Sequence, residues 1–336
     1  MSATIEGPAP ETVAPETADA SGGQRGRLLR TVLPVSALLA MIVVFALASE
    51  NFLTLPNLTV MSAQAGPLLL ASLGATFVVL AGSIDLSVGS TALLAGAIAA
   101  WLLANEDLGF WVVPIAVAAG ALTGTVSGAL VAYGRVPSFV ATLGMLSVLA
   151  GLALTVLDGS PISFVSESVS WLSTGQLVPH VQNAGLVALV VWAVLLLVGT
   201  RTRFGLYVTA IGGGERVAQL SGIDVRRLKL AVFALSGATA ALAGVVSIGQ
   251  LGSGGPTLGS SFLLDSLAAI VVGGTALAGG FGGVHRTLLG VLLITVLANG
   301  LNQLGTGEYL QQVVKGAVVV VAVLLTTASR REGIVK

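Results

Sequence analysis

Few side chains in this sequence are equipped for chemistry. The 336 residues contain no cysteine and two histidines, His180 and His285. The absence of thiols excludes disulfides, thiolate metal sites and cysteine nucleophiles. The charge pattern described below puts the two histidines on opposite sides of a membrane, so they cannot share a metal or a catalytic triad. None of the three lysines follows a glycine, which excludes the phosphate-cradling pattern G-x-x-x-x-G-K-[ST]. No cofactor is expected. Two acids stand out instead. Asp85 lies in Leu80-Ala-Gly-Ser-Ile-Asp-Leu-Ser-Val-Gly-Ser90, between two apolar runs, and Asp265 opens another. A charge inside a membrane costs on the order of 3 kcal/mol on insertion scales, so each needs a reason. For each the residues allow two readings: a helix N-cap, in the first case shared with Ser87, or a hinge or pathway residue.

The elements that must position these groups are apolar. Hydrophobic residues make up 55% of the chain and charged residues 9%, against about 25% charged in soluble domains. Apolar stretches of roughly 18 or more residues recur, each long enough to cross a bilayer core of about 30 Å. The fold class is therefore an all-α polytopic membrane bundle. Ten segments are expected: Leu28–Ser49, Leu58–Ala81, Leu86–Leu103, Phe110–Val131, Ser138–Val156, Asn183–Gly199, Leu230–Gln250, Leu264–Ala278, Thr287–Leu304 and Gln312–Thr327. Gly66-Pro67 interrupts the second, and the eighth is short and glycine-rich; both read either as broken helices lining a path or as kinks imposed by packing. Gly120, Gly124 and Gly128, spaced by four, predict a close helix contact within one chain or between two copies. Gln250 and Asn299 are polar residues near helix ends, facing either a polar route or the headgroups. Residues 1–24 carry four acids and three prolines without a base; they read as a disordered cytoplasmic tail rather than a signal peptide, leaving 25–336 as the membrane domain.

Charge placement orients the bundle. With the N-terminus inside, the inner segments receive Arg25, Arg27, Arg30, Arg135, Arg286, Arg330, Arg331 and Lys336, and the outer loops receive Glu50, Glu106, Asp107, Asp158, Glu167 and Glu308 but no arginine. This is a strong positive-inside bias and puts both termini in the cytoplasm. Lys315 alone falls near an outer helix end. The zero formal net charge gives no footing for nucleic acid. The longest outer connection, Asp158–Gln182, is expected to form an interfacial helix or a ledge. A five-plus-five inverted repeat is hinted at by Asp85 ahead of Ser90-Thr-Ala-Leu-Leu-Ala-Gly96 and Asp265 ahead of Gly274-Thr-Ala-Leu-Ala-Gly-Gly280.

The inner loop 200–229 is long for a compact bundle and holds six of the fifteen Lys and Arg. Glu215–Leu220 predicts a short helix after Gly212-Gly-Gly214, ended by Gly222 as a C-cap. Such a helix is suited to seat in a groove of a cytoplasmic partner; the plainer reading is a positive loop that only fixes topology.

At this point the chain resembles the permease subunits of ribose-type ABC sugar importers. The resemblance rests on Gly82–Ser90, Arg135-Val-Pro-Ser-Phe-Val-Ala-Thr-Leu-Gly144, Phe204-Gly through Gly222-Ile223, and Asp265 through Gly274-Thr-Ala-Leu-Ala-Gly-Gly-Phe-Gly-Gly283. It implies a multi-pass protein of the bacterial cytoplasmic membrane. It further implies a homodimer around one translocation path, a cytoplasmic ABC ATPase below, and an extracytoplasmic sugar-binding protein above. Glu215, Ala218 and Gly222 match the segment that contacts the ATPase in that family. Arg216 and Val217 depart from the two alanines often found there. An ABC permease for branched-chain amino acids or nucleosides shares this architecture. An ion-coupled secondary transporter would need an ionisable relay deep in the bundle, and only Asp85, Asp265 and Lys315 are on offer.

Overall fold

The computed structural model describes residues 20–106 and 108–331. It is built almost wholly of helices: α1 (Ala20–Ala48), α2 (Leu55–Leu80), α3 (Val88–Asn105), α4 (Val112–Ala132), α5 (Ser138–Leu157), α6 (Glu167–Thr174), α7 (Asn183–Arg201), α8 (Arg203–Gly213), α9 (Glu215–Leu220), α10 (Val225–Leu251), α11 (Phe262–Val272), α12 (Val284–Gln303) and α13 (Glu308–Arg331). Nine of the ten expected membrane segments fall on helices to within a few residues, and the eighth, Leu264–Ala278, is helical only as far as Val272. Seven of the described helices are long and apolar enough to cross a bilayer, and three shorter apolar stretches, Pro34–Ala48, Phe262–Val272 and Tyr309–Val321, supply the rest. The expected acidic tail falls mostly on residues 1–19, outside the described residues, and α1 already covers Ala20–Gln24.

Helices α2 and α10 are the central pair, buried along most of their length. Helix α10 packs on α2, α3 and α4; α2 packs in turn on α7, α11 and α12. Exchanging the halves, so that α2 becomes α10, α3 becomes α11, α4 becomes α12 and α5 becomes α13, carries several contacts onto others. The pairs α10·α4, α10·α3, α3·α4 and α3·α5 map onto α2·α12, α2·α11, α11·α12 and α11·α13, all of which are present. This correspondence of packing partners is what an inverted repeat requires.

The glycine stripe of α4 faces α10 within the chain. A methyl at Gly120 or Gly124 would run into the Gly237 or Phe233 backbone, and Gly128 rests on Leu230 and Phe233. Small residues there let the backbones approach.

The expected break at Gly66-Pro67 does not occur. Helix α2 runs unbroken through Pro67. Proline has no N–H for the carbonyl four residues back, here Ala63. The Gln250 Nε2 of α10 donates to that carbonyl at 2.9 Å, replacing the missing bond, while Gly66 lets α2 close on the Ala184 backbone of α7. Gln250 thus completes the hydrogen bonding of α2 at this proline. Gln250→Leu is expected to leave a part-buried carbonyl unpaired and cost about 1–3 kcal/mol, seen as a lower melting temperature of the purified protein.

The break that does occur is at α11. Its 11 residues rise only about 16 Å at 1.5 Å per residue, half of a bilayer core. The chain then turns through Gly274, Gly279, Gly280, Gly282 and Gly283, all with positive φ. Irregular backbone at such a position is tolerated where protein buries it, and this loop is packed against α2 and α8.

Outside, β1 (Ile162–Ser163) pairs antiparallel with β2 (Ser253–Gly254), with Ile162 opposite Gly254. Helix α6 beside it has Ser166 as N-cap and packs on α10 through Val169, Ser173 and Gly249. The long outer connection therefore forms the short helix expected of it, covering the end of α10.

Candidate coupling segment and outer cavity

The residues of the inner loop build a small folded unit. Helix α8 turns Gly205, Val208 and Ile211 inward, and the Phe204 ring packs tilted against Phe77 of α2, with centroids 5.5 Å apart. Helix α9 buries Ala218 against Ile211 and Val225, with Ile223 and Leu228 closing the cluster. Gly222, at φ 83, ends α9 in the left-handed conformation that favours glycine. Asp224 then caps α10, accepting from the Arg227 N–H at 3.1 Å. Both Glu215 carboxylate oxygens accept from Lys229 Nζ at 2.8 Å.

The three residues singled out in the sequence are thus the frame of this segment. Ala218 is buried, Gly222 forms the turn, and Glu215 braces α9 to the base of α10. The free face belongs to Val217 and Leu220, 69% and 82% exposed, flanked by exposed Arg216 and Gln219. Sequence reasoning missed them because an exposed leucine has no signature in a chain so rich in apolar residues. Their register on a six-residue helix, one residue before and two residues after the buried Ala218, is the signal that was available.

Behind α9 three loops meet. A methyl on Gly212 would overlap the Leu80 carbonyl oxygen and the Gly280 nitrogen, and one on Gly279 would meet Gly82 and Gly212. The Gly280 N–H donates to Leu80 O at 3.0 Å. The end of α2, the coupling segment and the loop after α11 are therefore locked backbone to backbone. All three were expected on the cytoplasmic side, and their contact is independent support for the topology.

Asp85 lies in the turn after α2, beside this junction. Its Oδ1 accepts from the Ser87 N–H at 2.9 Å and Ser87 Oγ at 2.6 Å. Its Oδ2 accepts from Ser236 Oγ of α10 at 2.7 Å. The N-cap position of α3 is Ser87, without a side-chain cap, so Asp85 does not cap the helix; it ties the turn to α10. Burial raises its pKa above the ordinary carboxylate value, and the serine hydrogen bonds oppose that rise without cancelling it. The Ile84 N–H next to it donates to Ser138 Oγ at 3.1 Å, joining the turn to the start of α5.

Asp265 caps nothing either. It pairs with Lys315 of α13 at 3.1 Å, which accounts for the one lysine that the charge pattern left outside. The pair lines a cavity of about 470 Å³ bounded by α2, α11, α12 and α13, with Gln64, Thr295, Asn302 and Gln311 among its walls. Asn299 is not in it. Its side chain is buried and exchanges two 2.9 Å hydrogen bonds with Asn57, which also accepts from Gln303 at 2.8 Å. This clasp joins α2 to α12 and leaves Asn299 facing neither route nor headgroup.

Residues 57–323 match a family profile described as branched-chain amino acid transport system / permease component. The chain belongs to that permease family. The permease is 40% identical over 296 residues to the ribose import permease protein of Escherichia coli, covering 86% of this chain and 91% of that one. It is 39% identical over 310 residues to the ribose import permease protein of Haemophilus influenzae, covering 91% and 96%. It is 30% identical over 392 aligned positions to the Escherichia coli xylose transport system permease protein, covering 96% and 98%. The matched region contains every residue of the coupling segment, the glycine junction and the cavity.

Proposed function

We infer that this chain is the membrane-spanning permease subunit of an ABC importer that carries a ribose- or xylose-like monosaccharide across the bacterial cytoplasmic membrane. The relatives named for ribose and xylose support the solute class. Similarity to sugar permeases along nearly the whole chain favours a sugar over a branched-chain amino acid or nucleoside.

The observation that carries the mechanism is the coupling segment. A folded six-residue helix presents Val217 and Leu220 to the cytoplasm, braced by Glu215 and Lys229. Its apolar tip fits a groove of a separate ATPase, where ATP would be bound and hydrolysed. Two copies of the permease, each with one such tip, face two ATPase subunits. Closure of the ATPases displaces α9, and the glycine junction passes the displacement to the end of α2 and to the loop after α11. Helix α2 is one of the two central helices, so the movement changes which side is open. An extracytoplasmic binding protein delivers the sugar to the outer face.

Reconstitution tests this reading. Proteoliposomes holding the permease and its co-expressed ATPase, with the binding protein outside, are expected to accumulate D-ribose or D-xylose only with ATP on the ATPase side. Accumulation that follows a proton or sodium gradient without ATP would contradict it.

A further inference from the structure

Polar groups converge on the outer cavity more than packing requires. The cavity lies on the side of the outer loops: Thr306, in the turn between α12 and α13, and Ser261, just ahead of α11, stand at its edge. Its volume, about 470 Å³, is in the range of small-molecule sites. One wall atom lacks a partner. Thr295 is 4% exposed, and its Oγ1 makes no hydrogen bond within the protein. Other threonines of this chain on membrane helices satisfy their hydroxyls on the carbonyl four residues back, as Thr76, Thr125 and Thr155 do. A buried hydroxyl left open beside a cavity calls for a ligand or water.

We propose that this cavity is a solute-binding station that holds one neutral polyhydroxylated molecule of monosaccharide size. The proposal rests on the importer reading above and assigns the site within the single chain. Asp265 and Lys315 neutralise each other, so the cavity attracts neither anion nor cation by net charge. Together with the amide of Asn302 and the hydroxyl of Thr295 they offer donors and acceptors in mixed order, which suits hydroxyl groups, since each hydroxyl both donates and accepts. Phe262 on the wall gives an apolar surface for the C–H face of a sugar ring. A branched aliphatic side chain in the same space would leave the polar groups unpaired.

The natural absence of cysteine makes a direct test simple. Gln64→Cys puts one thiol at the exposed rim, and Val165→Cys, fully exposed on the outer surface, serves as control. Each full-length variant is placed in lipid nanodiscs and its modification by a methanethiosulfonate is timed with D-ribose, D-xylose, xylitol or L-leucine at tens of millimolar. The expected result is at least threefold slower modification of Gln64→Cys with one or more of the polyhydroxylated probes and none with leucine. The control should not change, and the protection should vanish when Thr295→Val or Asp265→Asn is added. Equal rates with and without every probe, while ATP-driven uptake by the whole transporter stands, would overturn the site and leave the importer reading intact. Protection by leucine alone would overturn the solute class. Protection by pentoses in a system that shows no ATP-driven uptake would support the site and refute the importer reading.

Discussion

Leu220→Glu is expected to release the permease from its ATPase while leaving the permease folded. Leu220 is 82% exposed on α9 and Val217 is 69% exposed. Among the described residues no core cluster includes either side chain, so the substitution should shift stability by no more than about 0.5 kcal/mol. A leucine seated in a partner's groove behaves differently. Putting a carboxylate there removes an apolar anchor and buries a charge without a partner. Central interface residues of this kind are worth about 2 kcal/mol or more, roughly a thirtyfold loss of affinity. Pull-down of the co-expressed ATPase with tagged permease checks this, with size-exclusion behaviour of the permease alone as the folding control. Glu215→Arg has a different expected signature. It sets an arginine against Lys229, whose ammonium now touches both carboxylate oxygens. The segment itself should lose its shape, so ATPase release would come with greater protease sensitivity across 203–229.

Gly212→Ala is expected to leave the ATPase bound and abolish the work it does. The added methyl would overlap the Leu80 carbonyl oxygen and the Gly280 nitrogen. Neither is the far end of a flexible side chain, so one of three backbones must move. Overpacking of this kind costs about 1–3 kcal/mol. At about 1.4 kcal/mol per factor of ten, that is roughly a fivefold to 140-fold penalty on any state that needs the three loops closed. Exposed Val217 and Leu220 are unaffected, so docking should persist. The predicted phenotype is ATP hydrolysis in the assembled complex with sugar uptake reduced at least about fivefold. Wild-type uptake by Gly212→Ala would show that the junction transmits nothing.

Much of this arrangement was legible in the sequence because it depends on short-range regularities. Long apolar runs marked the helices, the distribution of arginine set their direction, and the Gly120–Gly124–Gly128 spacing marked a packing face. The glycine-rich stretch after Asp265 allowed either a broken helix or a kink, and the helix stops at Val272. What was not legible depends on partners far apart in the chain. Pro67 looks like a break until Gln250 is found donating to Ala63. Asp265 looks like a cap until Lys315 is found beside it. Asn299 looks like a headgroup contact or a path residue until Asn57 is found opposite. Each of these polar residues is held in the bilayer by a mate from another helix, and no local pattern reveals the mate. The exposed tip of the inner-loop helix escaped notice for another reason. The helix's distinctive residues are those that shape it, whereas the residues it exposes are ordinary leucine and valine.

The central claim is that the tip of α9 sits in an ATPase. A single thiol at Leu220→Cys, in a chain otherwise free of cysteine, can be cross-linked in native membranes with a short photoactivatable thiol reagent. The prediction is one dominant adduct whose mass equals permease plus ABC ATPase, its yield changing when ATP is added. An adduct with lipid or with the permease itself, and none with an ATPase that is present in the same membranes, would contradict it.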